Sequence, residues 1–158
     1  MRIYLNRFEL RAAAQAGIER RIVAIQRGRS PLYGVDDRKA EWQIDIIGCI
    51  AEFALAKYLN VYWTSVVDEG LTALPGDVGK YQVRSTSWKT GNLIIHNNDS
   101  DDAIFLLAVV GDRYVDFPGW IYAWEGKERG TKKDNENGIH FWVNQELLNP
   151  IEKLPEAS

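Results

Sequence analysis

The feature that most restricts the fold is an uninterrupted apolar run, AIFLLAVV, at residues 103–110. No polar side chain breaks this run, so an extended chain built from it has no face suited to water. The run therefore predicts a central β-strand that is covered on both faces, and the other elements have to be arranged around it.

Two helices are predicted ahead of the strands. Residues 7–27 repeat apolar side chains every three or four positions, which predicts one apolar stripe with the arginines outside it. Residues 38–59 predict a second and more apolar helix, after a segment broken by glycine and proline. The stripe of the first helix consists of Leu10, Ala14, Gly17, Ile18, Ile22 and Ile25.

Beyond residue 60 the pattern changes to that of strands, with β-branched and aromatic residues between clusters of Gly, Asn, Asp and Pro. About five strands are predicted, at residues 61–67, 80–87, 92–96, 103–110 and 119–124. A charged loop at 125–138, expected to be mobile, precedes a last strand at 140–143 and a short helix capped by Asn144. The sequence thus predicts an α+β (α/β) domain, with a central mixed sheet flanked by two N-terminal helices.

Length and composition indicate one soluble, intracellular domain. The chain has 158 residues, 46% of them apolar, which suits a single core over residues 1–158. Its one cysteine, Cys49, excludes an internal disulfide. No apolar run approaches the roughly 20 residues needed to span a bilayer, and the N-terminus lacks a secretory signal. We expect a cytoplasmic protein with no membrane contact.

Charge is distributed unevenly along the chain. The formal net charge is -3, yet residues 1–40 hold nine basic and four acidic side chains, so this segment is positive and the remainder negative. A basic front end allows contact with phosphates. A solvated helix face explains the same charges, and the counts alone leave both interpretations open.

Glu52 stands out on the second predicted helix because its neighbours one turn away are small or apolar. A carboxylate on such a face has to be paired, protonated or bound to a cation, since an unpaired buried charge costs several kcal/mol. Two interpretations follow: a pair with an arginine of the first helix, or a ligand for a cation. The neighbours are Gly48, Cys49, Leu55 and Ala56.

A second anomaly is the row of polar side chains in KYQVRST. Lys80, Gln82 and Arg84 share one face of an extended chain, and Asp77 lies just before them. Such a row can be the solvent side of an edge strand. Together with Glu52, the oxygens of Asp77 and Gln82 can instead hold a divalent metal while the cations neutralise a phosphate.

These segments resemble the motifs of the PD-(D/E)XK nucleases. GCIAEFALAKYL (48–59), GDVGKYQVRST (76–86) and AIFLLAVV look like the glutamate helix, the aspartate with its (D/E)-x-K strand, and the following core strand of that superfamily. The layout of residues 40–125 is similar to small bacteriophage proteins suspected to belong to it. The resemblance implies a restriction-endonuclease-like sheet.

The resemblance also implies roles for individual residues. Glu52 corresponds to the helix acid, Asp77 to the main metal ligand, and Gln82 to the second strand ligand, where an amide replaces a carboxylate. Arg84 occupies the lysine position; a guanidinium stays protonated, so it can stabilise charge but cannot act as a base. Lys80 could supply the ammonium instead. The implied activity is Mg²⁺- or Mn²⁺-dependent hydrolysis of DNA in a host cytoplasm.

Nucleic-acid contacts are expected from basic and aromatic side chains, namely Arg20, Arg21, Lys89, Trp88 and the charged segment 127–133. Packing explains Trp88 equally, and solvation explains the charged segment. His96 and His140 lack metal-ligand spacing and are expected to be structural or surface residues. A degenerate nuclease fold that binds nucleic acid or a host protein without cleavage remains the alternative, and the sequence leaves a homodimer open.

Overall fold

The computed structural model describes residues 1–28, 38–65, 76–135 and 138–156. Within these ranges, three helices and seven strands follow one another, with two short 3-10 helices, Gln145–Leu147 and Ile151–Lys153, after the last strand. The order is β1 Arg2–Tyr4, α1 Arg7–Gln26, α2 Arg38–Leu59, β2 Tyr81–Thr86, β3 Leu93–His96, β4 Ile104–Val110, β5 Tyr114–Tyr122, α3 Ala123–Arg129, β6 Thr131–Asn135 and β7 Gly138–Val143.

The strands form two sheets. The larger has the order β1-β5-β4-β2, in which β2 runs parallel to β4 and the other neighbours are antiparallel. The smaller is an antiparallel sheet with the order β3-β7-β6. The predicted α+β class and mixed sheet are confirmed, and the strand predicted at 92–96 belongs to the second sheet.

Strand β4 is buried on both faces, as its apolar run predicts. Its residues Ile104, Leu106 and Ala108 pack into one core with α2, whereas Phe105 and Leu107 pack into a second core with residues of β3 and β7. The alternation arises because successive side chains of a strand point to opposite faces. This strand therefore joins the helical layer to the smaller sheet.

Several predicted elements are wrong. Residues 61–65 form no strand, and 66–67 lie outside the described residues. The segment 125–138, predicted as a loop, holds most of α3 and all of β6. Gly126 lets helix α3 pack closely on the second core, because a Cβ there would lie 2.3 Å from Cδ1 of Ile95. Strand β6 is an edge strand exposed along its whole length, so no apolar alternation marks it in the sequence.

The inward face of α1 also differs from the predicted stripe. Its buried residues are Ala13, Ala16, Gly17 and Arg21. Of the predicted stripe, Leu10 packs against the core and Gly17 against α2, whereas Ile18 and Ile25 are exposed. Small residues bring the two helices together: a Cβ on Gly17 would lie 2.5 Å from the Cα of Ile46. The expectation that the arginines lie outside is wrong for Arg20 and Arg21, because both form ion pairs with α2.

Among the residues that the structure describes, no helix combines the length and apolar character needed to cross a membrane.

Candidate functional site

Asp77 lies at the open edge of the larger sheet. It precedes a tight turn in which the backbones of Val78 and Tyr81 exchange two hydrogen bonds of 3.1 Å, with Gly79 at a φ of +60° between them. Its carboxylate Oδ2 accepts a 2.7 Å hydrogen bond from the backbone N–H of Val83. Since β2 is the last strand of the sheet, this bond satisfies a backbone donor at the sheet edge.

The charges around Asp77 come from both predicted helices and from β2. Burial raises the pKa of its carboxyl above the usual 3.8, and the negative charge of Glu52 raises this pKa further. The hydrogen bond from Val83 and the positive charges of Arg84 and Arg20 lower the pKa and so oppose the rise. The net shift is upward. Glu52 and Asp77 therefore lie within electrostatic reach of each other, which the metal-site interpretation requires.

Glu52 is paired with Arg20. Its side chain lies on α2, the residue is 6% exposed, and its oxygens accept hydrogen bonds of 2.8 and 3.0 Å from Nη1 and Nη2 of the guanidinium. The indole Nε1 of Trp63 lies 3.4 Å from Oε2. The interpretation of Glu52 as the partner of an arginine on the first helix is confirmed. A metal ligand role for Glu52 would require Arg20 to give up part of this bidentate contact.

Gln82 and Arg84 share one face of β2, and both side chains are half-buried. The Nη2 of Arg84 lies 3.3 and 3.4 Å from the carboxylate oxygens of Asp99, and its guanidinium carbon lies 4.9 Å from the ring centroid of Phe105. Its Nε is buried and has no hydrogen-bond partner among the described residues. An unsatisfied buried donor costs about 1 to 3 kcal/mol. Because Nε is itself buried, an anion can reach Arg84 only at the part of the side chain that is exposed, 29% of it.

Lys80 lies in the turn before β2 and not within the strand. Its ammonium donates a hydrogen bond to the backbone carbonyl of Glu156, and the hydroxyl of the adjacent Tyr81 donates to the carbonyl of Pro155. These two contacts hold the segment after the last 3-10 helix against the turn. Lys80 therefore already has a carbonyl partner where the resemblance would use it as a catalytic ammonium.

The residues expected to contact nucleic acid fall into two groups. Arg21 is buried and donates to Asp45 at 2.6 Å and to Glu41 at 3.0 Å, which argues against a phosphate contact by this arginine. Arg20 is likewise engaged with α2. Lys89 and Trp88 are exposed, Trp88 to 75%, and their role in binding stays a prediction. In the segment 127–133, Lys127 donates to the carbonyl of Asp99 and to the carboxylate of Asp101.

A cleft opens beside Asp77. Its volume is about 180 Å³, and apolar and aromatic side chains form most of its wall. Tyr62, 89% exposed, stands at this wall. The lining residues are Leu59, Val61, Tyr62, Trp63, Thr64, Asp77, Val78, Gly79 and Tyr81. Asp77 thus combines a raised pKa with a position on a concave surface, a combination common at functional sites.

The oxygen ligands predicted for a hard cation are few, and the register puts Gln82 on the face of Phe105, opposite to the face that packs against α2. Among the described residues, no three His, Cys, Asp or Glu side chains come together in an arrangement that could hold a metal ion. The predicted set has two carboxylates and the amide oxygen of Gln82, which are the oxygen ligands that Mg²⁺ accepts. The sequence analysis anticipated a partner for Glu52 on the first helix, which is Arg20, but it missed the contribution of Asp99.

We expect Asp77→Asn to stabilise the fold at neutral pH. The raised pKa means that the native state disfavours the ionised carboxyl, whereas an asparagine keeps an oxygen for Val83 without the charge. A gain of about 1 kcal/mol would raise Tm by roughly 2 to 4 °C in a chain of this size. Circular dichroism melts of both proteins measure it.

The pH dependence of this gain has a definite sign. Well below the unfolded pKa of 3.8, the carboxyl is protonated in the native and unfolded states, so the advantage of the variant that comes from ionisation should vanish. As pH rises through the raised native pKa, the variant should gain its full advantage and keep it at pH 7. A variant less stable than wild type at pH 7 would contradict the assignment of a raised pKa.

The comparisons with known proteins leave the resemblance without independent support. No protein-family model, no curated protein and no solved structure matches this chain.

Proposed function

We propose that this protein is a metal-dependent phosphodiesterase that hydrolyses DNA, with Asp77 as its principal metal ligand and with a restriction-endonuclease-like core. The observation that carries the proposal is the state of Asp77: a largely desolvated carboxyl with a raised pKa, beside a cleft, under the influence of Glu52, Arg20 and Arg84. Shifted carboxyls in clefts are frequent among catalytic groups. The order of the motifs along the chain adds to this support.

The residues of the proposed site have separate roles. Asp77 and the amide oxygen of Gln82 would hold Mg²⁺ or Mn²⁺, and a bound metal of this kind lowers the pKa of a water so that it becomes a nucleophile at neutral pH. Arg84 would donate from its guanidinium to the phosphate oxygens and stabilise the negative charge that develops there. Because its guanidinium stays protonated, Arg84 orients the phosphate but does not accept a proton.

The second candidate is a fold of this type that binds nucleic acid, or a host protein, without cleavage. Arg20 favours it, because this arginine engages both oxygens of Glu52 and so neutralises one of the two carboxylates. Gln82 favours it as well, since a neutral amide attracts a cation less than a carboxylate does. In this case Arg84 would serve as an anion-binding side chain alone.

A cleavage assay distinguishes the two candidates. Single-stranded, double-stranded and branched DNA is incubated with Mg²⁺ or Mn²⁺ and with wild type, Asp77→Asn or the matched control Asp112→Asn, whose site is an exposed loop. We expect wild type and control to cut at equal rates and Asp77→Asn to be at least a hundredfold slower, in keeping with loss of a metal ligand of an activated water.

Two results would contradict the nuclease proposal. The first is equal cleavage by wild type and Asp77→Asn, which points to a contaminating nuclease or to another site. The second is no cleavage of any substrate with either metal, together with salt-dependent and metal-independent DNA binding. The second result would establish the non-cleaving candidate.

A further inference from the structure

The outward face of the smaller sheet carries an ordered set of rings and a lysine. Residues directly opposite one another on neighbouring strands share a face, and the register of β3, β7 and β6 produces two adjacent rows. One row is His96, His140 and Lys133, and the other is Ile94, Trp142 and Thr131. We call these six residues the ring face. The two histidines, 44 positions apart in the sequence, thus form a cross-strand pair.

The rings of this face follow one another at a regular distance. The ring centroids of His96 and His140 are 6.2 Å apart, and those of His140 and Trp142 are 6.5 Å apart. The Nζ of Lys133 lies 5.8 Å from the centroid of Trp142. Trp142 is 40% exposed, so part of its indole surface is open to solvent, whereas His140 beside it is only 8% exposed. The face therefore offers aromatic surface beside a cation.

The charge of the ring face is positive. None of its six residues is acidic, and Asp134 of β6 lies on the opposite face because its partner in the register is Ile139. Burial and the charge of Arg84 lower the pKa of His96, which keeps this imidazole uncharged at neutral pH. Lys133 thus carries the fixed charge, and its face attracts anions.

The ring face is connected to the candidate site through Asp99. The carboxylate of Asp99 pairs with Arg84, and its Oδ2 also accepts a 2.8 Å hydrogen bond from the backbone N–H of His96. One side chain thus touches the arginine proposed to hold the phosphate and the strand that carries the first ring. A polymer bound at Arg84 could continue across this face.

We propose that the ring face binds a single-stranded segment of nucleic acid, with a base stacked on Trp142 and a phosphate at Lys133. An exposed indole beside a cation suits an unpaired base, because every base has a stacking surface and the backbone supplies the negative charge. The choice of nucleic acid as the ligand rests on the proposed function. The surface itself is separate from Asp77 and can be tested without cleavage.

The test is binding of a fluorescein-labelled oligothymidylate of about 15 nucleotides, in EDTA so that no cleavage occurs, followed by fluorescence anisotropy. We expect Trp142→Ala to weaken binding roughly ten- to a hundredfold, the range of one lost base stack, and Trp142→Phe to weaken it only slightly. Lys133→Gln should reduce the slope of log K against log[salt] by about one, the value expected for one lost phosphate contact. Trp124→Ala is the matched control, because Trp124 is 48% exposed but lies on α3.

Binding to a duplex of the same length and melting curves complete the experiment. Wild type should prefer the single strand, and each variant should melt as wild type does. The proposal is overturned if Trp142→Ala binds as wild type does, if Trp124→Ala loses as much affinity, or if no oligonucleotide binds at low salt. A dimer that Trp142→Ala dissociates in sedimentation, without oligonucleotide binding, would assign the face to a second copy and also overturn it.

The outcome is independent of the nuclease test. Cleavage by wild type together with normal binding by Trp142→Ala would overturn the proposal for the ring face without affecting the nuclease proposal. Binding that depends on Trp142 without any cleavage would remove the nuclease proposal and support the ring face.

Discussion

Arg20→Met is expected to destabilise the protein by about 3 to 5 kcal/mol, the usual cost of leaving a buried charge without its partner. The side chain of Glu52 is almost fully buried, and two of its hydrogen bonds come from Arg20. Methionine keeps much of the apolar stem but provides no donor. The midpoint of urea unfolding, with the slope m held constant, measures the loss.

The matched control for this variant removes both charges. Arg20→Met combined with Glu52→Leu should recover most of the stability, because apolar pairs often replace buried ion pairs at little cost. If Arg20→Met alone loses less than about 1 kcal/mol, the pair is not the buried contact described here.

The same variant also separates the two functional candidates. Without Arg20, the charges of Glu52 and Asp77 repel each other with less compensation, and a cation bound by both carboxylates would stabilise the native state by mass action. Under the nuclease proposal, Mn²⁺ raises the Tm of Arg20→Met more than that of wild type, and adding Asp77→Asn abolishes the difference. An equal effect of Mn²⁺ on all three proteins would remove Glu52 from the ligand set.

Gly17→Val is expected to cost about 3 kcal/mol, the upper part of the usual range for overpacking. The added Cβ would meet backbone atoms, the Cα of Ile46 at 2.5 Å and the carbonyl oxygen of Asp45 at 2.7 Å, and neither can rotate away. The helices would have to separate, which would also stretch the contact between Arg21 and Asp45. Chemical unfolding measures the loss.

The control is a matched pair of alanine variants. Gly17→Ala adds the same clashing Cβ, whereas at Gly48 the nearest atom to a Cβ is the flexible Nη1 of Arg20 at 3.9 Å. Since alanine favours a helix over glycine by about 1 kcal/mol, Gly48→Ala should stabilise the protein and Gly17→Ala should destabilise it. Changes of the same sign would contradict the close approach of the helices.

The helices and the central strand were predictable because each has a strong period or composition of its own. The predicted helices 7–27 and 38–59 agree with Arg7–Gln26 and Arg38–Leu59, and the apolar run became β4. The orientation of α1 was not predictable from hydrophobicity. Its inward face is determined by small residues and an ion pair, which allow close packing but carry no apolar signal.

Short and exposed elements also could not be predicted from the sequence. Strand β1 has only three residues. It is stabilised by pairing with β5, a strand that lies far from it in the sequence. The exposed β6 pairs with β7, and no alternation of apolar residues marks it. In both cases the neighbouring strand determines the structure and the local sequence does not.

The candidate site was predictable in part. The motif spacing indicated that Glu52 and Asp77 would lie near each other, and the effect of one charge on the other agrees with this. Asp99 gave no signal, because the second sheet brings it to Arg84. The facing of His96 and His140 depends on a register between distant strands, which sequence spacing does not contain.

The burial of β4 on both faces makes the stability of the two layers interdependent. Because alternate residues of this one strand complete both cores, neither layer can come away without exposing the other layer's packing surface. The layers therefore unfold as one cooperative unit. A ligand that binds the native state on one side of β4 therefore stabilises the whole fold, including the layer on the opposite side of the strand. This effect needs no shift in atomic positions.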